Sequence, residues 1–207
     1  MRLSFLLLSA AVLLSGCYSI AQRVDTYSGS ASALKTVTKQ ERLDQSALRG
    51  RFGLVPSENT KRTVERFQEF QSKLNSNPLG IFGGLKPLGD LNDPRYYVES
   101  VTNTVKRHVR SLAVFDDVNQ GKGRVDYIIF LDTFCDESGW TTDATCEQSL
   151  EVFDAALTAR YLTMRTTAYQ KSRDGGVMAL VMAREELLKK FAQQFDEQMA
   201  GVGSRRP

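Results

Sequence analysis

Histidine is almost missing from this chain of 207 residues: His108 is the single imidazole. A Ser or Cys triad needs a histidine base, and the common zinc sites need several His or Cys ligands, so both chemistries have little to draw on. Cysteine is scarce, at positions 17, 135 and 146, which excludes a disulfide-dense scaffold. Tryptophan occurs once, at Trp140. An excess of charge is missing too, with 27 Lys and Arg against 24 Asp and Glu for a net +3. That balance argues against a nucleic-acid binder, which needs a clustered basic surface. No apolar run reaches the roughly 20 residues of a membrane-spanning helix. What is there is an ordinary folded composition, 42% hydrophobic and 25% charged. It suits one domain of about 100–150 residues plus a leader and a tether.

The leader is explicit. Arg2 precedes the apolar run Leu3 to Leu14, which is too short to span a bilayer but suits the core of a signal peptide. Leu14-Ser15-Gly16-Cys17 then resembles the lipobox of bacterial lipoproteins. The resemblance implies that residues 1–16 are a signal peptide. It also implies that Cys17 carries a diacylglycerol on sulfur, becomes the first residue and is N-acylated with a palmitate-type chain. Several acyl chains, at about 0.8 kcal/mol per buried CH₂, make a durable anchor. The rival is an ordinary secretory signal with an incidental cysteine. Tyr18 and Ser19 follow, with no Asp at the second mature position. In the enterobacterial sorting that this resembles, that implies the periplasmic face of the outer membrane.

With Cys17 acylated, Cys135 and Cys146 remain as a pair in an oxidising compartment. A disulfide between them closes a loop of about twelve residues and contributes on the order of 3 kcal/mol. Two free thiols and two metal ligands are the alternatives.

Residues 17–33, rich in Ser and Ala, read as a lipidated flexible tether of about 40–60 Å reach. Residues 34–200 read as a single α/β domain, and 201–207 as a disordered tail. Within the domain, Arg51–Val55 reads as a short edge strand. A helix capped by Asn59 or Thr60 runs to about Asn75, with Val64, Phe67, Phe70 and Leu74 on its apolar stripe. Residues 77–90 hold two prolines and four glycines and read as a loop. It is no phosphate loop, because Leu85 precedes Lys86 and Pro87 follows it. A second helix starts at Asp93-Pro94 and runs to about Ala113, burying Tyr97 or Val98, Val101, Val105, His108 or Val109, and Leu112. Val125–Asp132 is a buried strand. Residues 149–169 fit either a strand or a helix; the Thr, Tyr and Phe content favours strands, with a hairpin in 162–175. A long helix over 177–199 ends at Gly201. The expected fold is α/β (α+β): a small sheet of about four strands against two or three helices, the last of them long.

The candidate sites are few. Leu79, Ile81, Phe82, Leu85 and Leu88 either fold back onto the core or form an apolar contact for a partner. Trp140 sits between the cysteines, where it either anchors a protein contact or covers the sheet. Asp132, Asp136, Glu137, Asp143 and Glu147 surround it, a cation-binding loop or a solvated hairpin. His108, beside Val105 and Val109, reads as structural.

The helix, Phe115-x-x-Val118, then Val125-Asp126-Tyr127-Ile128-Ile129 over 96–132 is similar to α/β lipoproteins related to curli-secretion CsgG, the penicillin-binding-protein activator LpoB and the amino-terminal domain of TolB. The usual first strand ending in Pro-Phe is not found; 51–56 is its substitute. The resemblance implies an adaptor or assembly factor of an envelope machine. The expectation is therefore a non-catalytic lipoprotein without cofactor. It is held to the membrane by Cys17, meets an envelope protein through Ile81, Phe82, Leu85 and Trp140, and has room for self-association. A small-ligand or metal-binding lipoprotein using the acidic loop is the alternative.

Overall fold

The computed structural model describes residues 37–76, 94–137, 143–171 and 176–203. Cys17, the tether, Ile81, Phe82, Leu85 and Trp140 lie outside the described residues. The elements are β1 (Lys39–Gln40), β2 (Arg51–Pro56), α1 (Glu58–Ser76), α2 (Pro94–Lys106), β3 (Ser111–Val114), α3 (Val118–Gly121), β4 (Tyr127–Glu137), β5 (Ala144–Asp154), β6 (Ala159–Gln170) and α4 (Gly176–Gly203). They build one mixed sheet in the order β1-β6-β5-β4-β2-β3. The α/β class stands, with six strands rather than about four. The two extra strands, β1 and β3, have two and four residues, too short to register as a periodic pattern.

Arg51–Pro56 is a central strand, not an edge. It pairs in parallel with β3 on one side and β4 on the other. Phe52 to Val55 are all buried, as a strand covered on both faces requires. Gly53 lets this strand pass under Phe115: a Cβ there would lie 2.8 Å from the Phe115 ring.

α1 is capped two or three residues earlier than expected, by Ser57. The Thr60 amide donates to Ser57 Oγ at 3.1 Å, the bond of a helix-capping serine to the third helical residue. Asn59 and Thr60 turn inward instead. The buried face is Thr60, Thr63 and Phe67, while Val64 is only half-buried. The threonines can face the sheet because its strand carbonyls receive them: Thr60 Oγ1 donates to Leu131 O at 2.9 Å and Thr63 Oγ1 to Thr133 O at 3.3 Å.

α2 ends at Lys106, short of the expected Ala113, and Ser111–Val114 is a strand. The open side of β2 takes up that segment as a parallel ladder, and this pairing outweighs continued helix. Residues 144–170 are strands, as their Thr and Tyr content favours, but the turn lies at 155–158 rather than in 162–175. The turn contains no glycine. Leu157 takes a φ of 57°, and the Asp154 carboxylate closes the turn by accepting from the Thr158 and Ala159 amides at 2.7 and 2.9 Å. α4 continues past Gly201 to Gly203.

α1, α2 and α4 cover one face of the sheet. Phe52, Leu54, Ile129, Leu131, Leu150 and Val152 meet Tyr97, Val101, Leu187, Phe191 and Phe195 there. The other face has a smaller core of Val55, Ile128, Phe130 and Phe153 under Phe115, Val118 and Val125. Beyond it β6 alternates, with Thr163, Arg165, Thr167 and Tyr169 outward. Replacing Gly53 by Ala should cost about 1–3 kcal/mol in a denaturant titration, since the Phe115 ring must move. Gly201→Ala, with nothing within 4 Å of the new Cβ, should be neutral or slightly stabilising.

Candidate functional site

The two cysteines are directly opposite each other in the β4–β5 ladder and are bonded, with Cα atoms 4.1 Å apart. The expected disulfide is present, but it does not pin a loop. Both residues are buried, 3% and 0% exposed, and belong to the core under the helices. The strands run two pairs further, to Glu137 opposite Ala144.

Of the two readings of 132–147, a cation-binding loop and a solvated hairpin, the strands form the hairpin, with the acidic residues spread along its ladder. Asp132, Asp136 and Glu137 lie on β4 and Glu147 on β5. Their partners are local. Asp132 is buried and accepts from Ser57 Oγ at 2.5 Å and Asn59 Nδ2 at 2.9 Å. Asp143 accepts from the Tyr169 hydroxyl. Among the described residues, no three His, Cys, Asp or Glu side chains are placed to hold a metal.

Under the helices a polar row crosses the sheet: Thr133 on β4, Gln148 on β5 and Thr166 on β6 are in register. Leu131, Leu150 and Met164 form the row on one side, and Cys135, Cys146 and Ala168 the row on the other. Each polar member is met by a helix. The Tyr97 hydroxyl of α2 bonds Thr133 Oγ1 at 2.8 Å and donates to Gln148 Oε1. Thr166 Oγ1 donates to Gln194 Oε1 of α4 at 2.7 Å. Burial pushes the Tyr97 phenol far above its ordinary range, so it stays neutral. Arg184 of α4, 1% exposed, lays its guanidinium 4.2 Å from the Phe67 ring centroid. Apart from Tyr97, read as part of the buried stripe of α2, none of these groups was singled out from sequence. Their only signal is that each interrupts an apolar pattern.

Ser57, Asn59, Asp132, Thr133, Gln148, Thr166 and Arg184 are all buried. Ser57 and Asp132 are hydrogen-bonded to each other, but His108 lies at the opposite end of β2 and β3. There its Nε2 meets Asp196 Oδ1 at 2.6 Å, Arg107 reaches both oxygens of Asp196 at 3.1 Å, and its ring meets Phe195 edge-on. Among the described residues the serine, histidine and carboxylates do not converge. The structural reading of His108 agrees with this half-buried ion pair.

No family model and no curated protein sequence matches the chain. Several solved structures are similar in fold. PelC from Paraburkholderia phytofirmans, a dodecamer, is 12% identical with a TM-score of 0.36, covering 74% of this chain and 93% of that one. A Caulobacter crescentus protein described as a lipoprotein is 12% identical at TM-score 0.35, covering 54% and 84%. A Xanthomonas campestris protein is 14% identical at TM-score 0.38, covering 78% and 94%. These likenesses are too slight to carry residues or roles across. None of them shows the resemblance to CsgG, LpoB and TolB.

Two predictions follow from the bonds of this hairpin and of the opposite end. Replacing Cys135 and Cys146 by Ala together should lower unfolding free energy by about 3 kcal/mol, read by urea titration against the oxidised protein. At the other end, hydrogen bonding from the Arg51 side chain holds the Asp126 carboxyl down to about 2, and His108 and then Arg107 lower Asp196. Carboxyls depressed by folding stabilise above their unfolded value, near 3.9, and lose that contribution as pH falls through the folded one. The melting temperature should thus drop between about pH 4 and pH 2. Asp126→Asn should flatten that drop only slightly, since the pair is half exposed.

Proposed function

We propose that this chain is a lipid-anchored envelope lipoprotein that works through protein contact rather than catalysis. The observation that carries the reading is Leu14-Ser15-Gly16-Cys17 behind a short apolar leader. The domain supports it in two ways. Its buried polar groups are spent on joining helices to sheet, and the disulfide suits an oxidising compartment. Among the described residues no helix is long and apolar enough to cross a membrane. Attachment on this reading is through acyl chains on Cys17. On this reading the outer membrane, facing the periplasm, is the destination, and the contact residues are Ile81, Phe82, Leu85 and Trp140.

The metal-binding alternative has less support, since Asp132 and Asp143 are already engaged within the fold. Cells fed a palmitate analogue should label the wild type and not Cys17→Ala, which should keep its leader and leave the acylated fraction. A crosslinking pull-down from intact cells should enrich a defined envelope protein with the wild type. The Phe82→Ala, Trp140→Ala double variant should lose that partner while melting at the same temperature. Equal recovery from both would remove these residues from the contact.

A further inference from the structure

The ends of the sheet differ in charge, and the difference bears on how the domain meets a membrane. One end collects the starts of β2, β3, β4 and β6 and the finish of β5. Hydrogen bonds run across it in sequence: Arg110 N to Leu48 O at 3.0 Å, Asp126 N to Arg51 O at 2.8 Å, Ala155 N to Asp126 O at 3.0 Å and Glu41 N to Arg160 O at 2.8 Å. The described chain also enters the fold here, because β1 pairs with the first residues of β6.

The acidic groups of this end are engaged. Glu41 pairs with Lys39, Asp126 with Arg51, and Asp196 with Arg107 and His108. Asp44 accepts from the Ser46 hydroxyl and the Ala47 amide, and Asp154 closes the 155–158 turn. Arg42, Arg49, Lys106, Arg110, Lys122 and Arg124 are all exposed, and none has a carboxylate partner among the described residues. Lys106 is the last residue of α2, where the helix dipole favours cations, and Arg110, four residues on, donates its amide to Leu48 O in the turn that holds Arg49. The opposite end carries Asp136, Asp143 and Glu147 beside the disulfide hairpin.

We infer that the basic end lies against the anionic phospholipid headgroups of the membrane that holds the acyl chains, and that the hairpin end points away from it. The inference rests on the lipoprotein reading of Cys17. Two facts select this occupant. The surplus cations complement phosphate, and the chain between Cys17 and Val37 reaches the domain at this same end. The nineteen residues between Cys17 and Val37 reach roughly 60 Å if extended, long enough to let the end settle flat and short enough to keep its local concentration high. A partner seated at the hairpin would then meet the domain from the side away from the bilayer.

The test uses the full-length acylated protein reconstituted in vesicles of phosphatidylglycerol and phosphatidylethanolamine, or of phosphatidylcholine alone, with lysines labelled by an amine-reactive ester and read by mass spectrometry. On the anionic vesicles Lys106 and Lys122 should label about tenfold more slowly than on phosphatidylcholine, and Lys171 at the far end of β6 should not change. At about 1 M salt, where the Debye length is about 3 Å, the protection should vanish. Arg42→Glu, Arg49→Glu and Arg110→Glu together should abolish it while the circular dichroism spectrum and acylation stay as in the wild type. Inorganic phosphate without vesicles should protect neither lysine. Equal labelling of Lys106 on both vesicle types, or equal protection of Lys171, overturns the orientation if the mass of the amino-terminal peptide shows acyl chains on Cys17. A peptide without acyl chains overturns the lipoprotein reading instead.

Discussion

Ser57 and Thr60 bond three successive residues of β4, and the position of the helical layer depends on that contact. Ser57 N donates to Leu131 O and Ser57 Oγ to Asp132; Thr60 Oγ1 donates to Leu131 O and accepts from Thr133 N. The start of α1 is thereby tied to the strand at the middle of the sheet by buried hydrogen bonds. Each bond adds about 1 kcal/mol net, but an orphaned partner in this setting costs about 1–3 kcal/mol. The contact therefore discriminates against other helix placements more than it stabilises this one. Thr63 and Phe67 follow on the same face, and Phe67 receives the Arg184 guanidinium from α4. One end of α1 thus locates the longest helix of the domain.

The polar row Thr133, Gln148 and Thr166 extends the same logic across the sheet. An all-apolar interface would let α2 and α4 slide, because apolar contacts are non-directional. Tyr97 and Gln194 each have a fixed acceptor or donor beneath them, so register is set by hydrogen bonds and the surrounding leucines supply the burial. The disulfide sits one row further along and belongs to this packing. Its burial explains why the hairpin beyond it keeps strand pairing to Glu137 and Ala144.

Much of the fold was legible from residue patterns. The strand after Val125, the Tyr97, Val101 and Val105 stripe and the Val181, Leu188, Phe191 and Phe195 stripe are strongly periodic or fully apolar, and burial follows from that. Two of the three misreadings share a cause. Ser111–Val114 looks like the end of a helix until the free side of β2 is known to lie beside it. Val64 looks like a core residue until strand carbonyls are found to receive Thr60 and Thr63. The 155–158 turn has no glycine and is built by the Asp154 carboxylate, which composition does not announce. In the first two cases a group distant in sequence decided a local conformation; in the third a carboxylate four residues away did.

For the site the division is sharper. The sequence by itself determined the poverty of histidine and left Cys135 and Cys146 as a pair once Cys17 is set aside, and it carries the expectation of a leader and of acylation at Cys17, because these depend on short motifs and counts. Only the tertiary structure decided that the disulfide is core, that the acidic residues of 132–147 are dispersed along strands, and that Arg42, Arg49, Lys106 and Arg110 gather where the chain enters. A net charge near zero says nothing of where the charges stand. Pairing of strands far apart in sequence puts the cations at one end of the sheet and the hairpin carboxylates at the other.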